Sequence, residues 1–68
     1  MADLASVTEF EIHVYRADNT LSFIMKVNAS APHDAKLHAL RMLDAGHAYA
    51  VIWQGLIEVA TVHRDKPN

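Results

Sequence analysis

Cysteine is absent from the chain, which removes disulfide bonds and thiolate zinc sites from the means that hold small folds together. Glycine and proline are scarce, two of each, so no Gly- or Pro-rich linker or low-complexity segment divides the chain. Positive charge is not in excess either. The formal net charge of −2 disfavours a strongly basic nucleic-acid binder or a protein held on an anionic membrane. Apolar runs are short: the longest is broken by Gln54, Gly55 and Glu58 and falls below the ~20 residues of a membrane-spanning helix. The opening MADLASV has no basic region leading into an apolar one, as a secretory signal would. With the missing cysteine, these features set the expectation of a cytoplasmic protein.

What is present is apolar matter in a short chain. Hydrophobic residues make up 51 % of 68 residues, too many for disorder and enough for one small domain spanning residues 1–68. Residues 1–8 read as a lead and residues 65–68 as a solvated tail. A domain this small buries only ~60 % of the surface its unfolded chain exposes, so a partner subunit is an expected source of further stability.

Two segments alternate with period two, the signature of half-buried strands. Phe10, Ile12 and Val14 alternate with Glu11, His13 and Tyr15; Leu21, Phe23, Met25 and Val27 alternate with Ser22, Ile24 and Lys26. A two-residue turn at Asp18-Asn19 would set Val14 opposite Phe23, Ile12 opposite Met25, Phe10 opposite Val27 and Glu11 opposite Lys26. That register gathers the apolar residues on one face, and a slip of one residue would scatter them.

Pro32 favours the first position of a helix, and Gly46 suits a helix stop, so a helix is expected from Pro32 to Ala45. Its apolar arc comprises Ala35, Leu37, Ala39, Leu40, Met42 and Leu43, with Lys36 lying inside it and snorkelling. His33, Asp34, His38, Arg41 and Asp44 form the solvated side. The stretch AVIWQGLIEVATV then reads as a second hairpin turning at Gln54-Gly55, with Ile52 opposite Ile57, Ala50 opposite Val59 and Ala48 opposite Thr61. The outer side would carry Tyr49, Val51, Trp53, Leu56, Glu58, Ala60, Val62 and Arg64.

The expected fold is a two-layer α+β domain, ββαββ, with one helix on one face of a four-stranded sheet. Order 2-1-3-4 makes every neighbour antiparallel and is preferred to a parallel crossover. One helix covers one face. The other is left with Tyr15, Ile24, Tyr49, Val51, Trp53 and Leu56, rimmed by Lys26, Glu58 and Arg64, an apolar centre within a polar margin. This is the candidate interface. It points to a non-catalytic domain that forms a homodimer, or docks on a larger protein, through its uncovered sheet. The plan is common in small bacterial and phage-type proteins, though no residue singles out one of them.

The leading alternative is a single-stranded nucleic-acid-binding regulator that stacks bases on Tyr15, Tyr49 and Trp53 beside Lys26 and Arg64. Glu11, Glu58 and the negative total charge weigh against it. The five histidines are the one unusual count. His33 and His38 point away from each other on the helix, His47 and His63 lack an evident third ligand, and Glu11 with His13 is only a pair, so no metal is expected. No phosphate loop or nucleophile motif is present, and neither a cofactor nor an enzymatic activity is expected.

Overall fold

The computed structural model describes residues 7–64, and the expectations for residues 1–6 and 65–68 lie outside them. Chain order is β1 (Thr8–Tyr15), β2 (Leu21–Ala29), α1 (Pro32–Met42), β3 (Tyr49–Gln54) and β4 (Ile57–His63). The strands form one open sheet in the order β2-β1-β3-β4, antiparallel at every step. This is the ββαββ arrangement that the alternation implied. β1 already begins at Thr8, at the end of the segment read as a lead.

In the first hairpin the apolar residues decide the register. Val14 faces Phe23, Ile12 faces Met25, Phe10 faces Val27 and Glu11 faces Lys26. The turn differs from the two-residue one expected. Arg16 N–H donates to the Thr20 carbonyl and Asn19 N–H to that of Arg16, both at 2.9 Å, closing a loop of Ala17, Asp18 and Asn19. Asn19 takes a left-handed φ of 70°, which its short polar side chain tolerates. The extra loop residue is offset on β2, where Ser22 has no partner between the pairs Tyr15–Leu21 and Val14–Phe23.

The second hairpin corrects the expected register. Its turn is Gly55-Leu56, flanked by the pair Gln54–Ile57, and Gly55 supplies a left-handed φ of 64° at the first central position. A tight hairpin turn of this kind needs its glycine there, so the strands meet one residue later than a turn at Gln54-Gly55 would set them. A bulge follows at Val59, unpaired between Trp53–Glu58 and Ile52–Ala60. Beyond it Ala50 faces Val62 and Val51 faces Thr61. The bulge therefore turns Val62 into the core, brings Ala60 against it and sends Thr61 and His63 outward, reversing the expected faces of that strand from Ala60 onward, while Glu58 and Val59 keep theirs.

The helix also ends sooner than Gly46 suggested. Leu43 leaves helical geometry at φ −86° and ψ 94°, and its side chain is buried in the core. A turn then closes from His47 N–H to the Asp44 carbonyl at 2.9 Å. His47 is seated by Ser22, whose Oγ lies 3.1 Å from Nε2, and by the Phe23 ring, which it meets in a T-shaped contact at 5.5 Å. Its Nδ1 lies 2.9 Å from Asp44 Oδ1 but out of line for a hydrogen bond.

Against the sheet the helix presents Ala35 and Ala39, one turn apart, with Leu43 following at its C-cap. The two alanines allow its backbone to approach closely over Phe10, Ile12, Val14, Ala50, Ile52 and Val62. The buried stripe is narrower than the expected apolar arc: Leu37 and Leu40 remain 44 % and 40 % exposed. The core is thin. Among the described residues only Phe10, Ile12, Ile52 and Val14 are large side chains fully removed from solvent, each contributing about 1.5–3 kcal/mol.

Candidate functional site

Cross-strand pairing organises the uncovered face into rows that run across the sheet from β2 to β4. The first is Leu21–Tyr15–Tyr49–His63, the second Ile24–His13–Val51–Thr61 and the third Lys26–Glu11–Trp53–Glu58. Members of a row are directly opposed, with Cβ atoms about 4.5–5.5 Å apart, so their side chains pack laterally.

The rings do so throughout. Tyr15 and Tyr49 stack with centroids 5.0 Å apart and planes 10° from parallel. Tyr49 meets His63 at 5.8 Å, and His13 meets Trp53 at 5.8 Å. The Tyr49 hydroxyl donates to Asn19 Oδ1 at 3.0 Å, fastening the first row to the β1–β2 loop. His13 Nε2 donates to Glu11 Oε1 at 2.8 Å, joining the second row to the third. By this tiling Tyr15, His13, Glu11, Tyr49, Val51 and Trp53 on the two central strands become half-buried, while every member on the outer strands stays exposed. Trp53 Nε1 is shut off from solvent without an acceptor, a cost of about 1–3 kcal/mol within a single chain.

Five of the six residues expected on this face are there: Tyr15, Ile24, Tyr49, Val51 and Trp53. Leu56 is not. It occupies the β3–β4 turn and is 96 % exposed at the tip, where it forms an apolar knob with the 67 %-exposed Ile57. Ala60 and Val62 belong to the core side, and Arg64 lies past the end of β4, its N–H donating to the Ala48 carbonyl. Thr61 and His63 stand in their places, unforeseen because a bulge at Val59 leaves no mark in the composition. Leu21, 44 % exposed, joins the face through its pairing with Tyr15.

Charge is placed at the corners of the third row: Lys26 on β2 and Glu58 on β4, both exposed. Elsewhere, a hollow of about 330 Å³ lies between the end of β2 and the helix, lined by Asn28, Ser30, Asp34, Leu37, His38 and Arg41. His47 and His63 are not brought together: the first packs on Phe23, the second on Tyr49. Among the described residues no three His, Asp or Glu side chains converge as metal ligands. None of the described helices is long and apolar enough to cross a membrane.

Comparison with known proteins finds no matching protein-family model, no matching curated protein and no matching solved structure.

Proposed function

We propose that this is a non-catalytic assembly domain that pairs with a second copy of itself through the uncovered sheet face. The observation that carries the reading is the layout of that face: rings and Val51 at the centre, Leu21 and Ile24 exposed at 44 % and 48 % on one edge, charges at the corners. An apolar centre within a polar margin is how interfaces are built, and most self-assemblies of one chain are two-fold. The thin core gives association a thermodynamic purpose, since binding of the folded form raises its stability by mass action.

Ring orientation favours this reading over base stacking. A nucleotide platform offers flat ring faces to the bases, whereas Tyr15 and Tyr49 spend facing sides on each other. Glu11 and Glu58 also flank Trp53 within its row.

Trp53 is the largest side chain of the face, but its packing on His13 means that a charge there injures the single chain as well. Ile24→Glu is the cleaner test, because half of that side chain already meets water. It is expected to weaken self-association at least tenfold, about 1.4 kcal/mol, while the thermal midpoint in dilute solution hardly moves. Unchanged association would refute the proposal, and binding of single-stranded oligonucleotides that weakens steeply with salt would replace it.

A further inference from the structure

Resting on the self-association just proposed, we infer that two copies pack face to face about a two-fold axis parallel to the strands, with Lys26 of each copy over the partner's Glu58. A face-to-face dimer has its two-fold axis in the plane of contact, and packed sheets are either nearly aligned or orthogonal. That leaves few arrangements, and the three rows allow each to be checked.

An axis along the strands keeps every row on itself and exchanges the strands, β2 over β4 and β1 over β3. Lys26 then meets the partner's Glu58 at both ends of the third row, Tyr15 meets the partner's Tyr49, and His13 meets the partner's Val51. An axis across the strands exchanges the first and third rows instead. Lys26 would lie over the partner's Leu21 and lose water without an opposite charge in return. The orthogonal arrangements run the axis through opposite corners of the face. One sets Lys26 against the partner's Lys26 and the other Glu58 against the partner's Glu58, and like charges in contact are costly. Only the first arrangement pairs the corner charges. It also leaves those pairs at the exposed margin, where they select register more than they add affinity.

The arrangement has a specific consequence. Lys26→Glu alone would put two carboxylate–carboxylate contacts in the dimer, and Glu58→Lys alone two ammonium–ammonium contacts. Mixed in equal amounts, the two variants form a heterodimer with both contacts complementary again. Sedimentation of each variant and of the mixture tests this, with circular dichroism confirming that each chain is folded. Each variant alone is expected to associate at least about tenfold more weakly than the parent chain, and the mixture to recover most of the loss. Recovery on mixing cannot come from repair inside either chain, because each chain keeps its single substitution. A mixture as weak as its components, or single variants as tight as the parent, would overturn the arrangement. Ile24→Glu would then still report separately on whether the face is used. A parent chain monomeric at every concentration would overturn both.

Discussion

Asp18 and Asn19 show how much of the first hairpin rests on two short polar side chains. Asn19 accepts the left-handed φ that ends the loop and receives the Tyr49 hydroxyl. Asp18 Oδ1 accepts from the Thr20 hydroxyl at 2.6 Å and from its N–H at 3.1 Å. Those bonds, with a smaller contribution from Arg16, hold the Asp18 carboxyl below its ordinary 3.8. A carboxyl lowered in the folded state stabilises above its unfolded value and loses that contribution as pH falls through the folded one. Asp18→Asn should therefore melt below the parent chain at neutral pH, and the gap should close in thermal scans as pH drops below 3.8. A gap that stays constant through that range would mean the ionised carboxylate contributes nothing. Histidine and tyrosine rings hold the open face at the same scale, and their contacts are lateral ones that sequence spacing does not display.

At the scale of elements, α1 is preceded by Ala31, an extended N-cap residue at φ −156° and ψ 158° with no side chain to cap the helix. Ser30 does not take the role, since its hydroxyl donates to Asp34 Oδ2 at 2.9 Å. Pro32 has no N–H and the Asp34 N–H already reaches the Ala31 carbonyl at 3.1 Å, so Ala31→Asp adds a side-chain acceptor at the His33 and Asp34 N–H groups and should add about 1 kcal/mol in chemical denaturation. A loss of stability would mean that this turn is constrained by packing rather than by its cap. The same scale explains what could be read from sequence. The first hairpin was legible because β1 and β2 are apolar on one alternation and mostly polar on the other, so that one register satisfies both. The second was not, because Ala50, Ile52, Val59, Ala60 and Val62 offer apolar side chains on either alternation. Only the conformation of Gly55 and the bulge at Val59 fix which of them turn inward. The helix end was misplaced for a similar reason: burying Leu43 took precedence over the stop offered by Gly46. The centre of the candidate face survived these errors because it lies on β1 and β3, upstream of the bulge. Leu56, Ala60, Val62 and Arg64 did not, because they lie after the turn.

For the whole molecule, the decisive feature is an imbalance between the two sides of one sheet. Among the described residues the helix side buries ten hydrophobic ones, few of them large, and the other side is held together by side chains packed against their neighbours. Closing a second copy over that side would remove Leu21 and Ile24 from water, complete a second apolar layer and link folding to association. The central claim is therefore about mass in solution. Light scattering from low micromolar to near-millimolar protein should show the weight-average mass rising from one chain of 7.6 kDa toward twice that value, with thermal stability rising in step. A mass that stays at one chain across the whole range, with a concentration-independent melting point, would contradict the account.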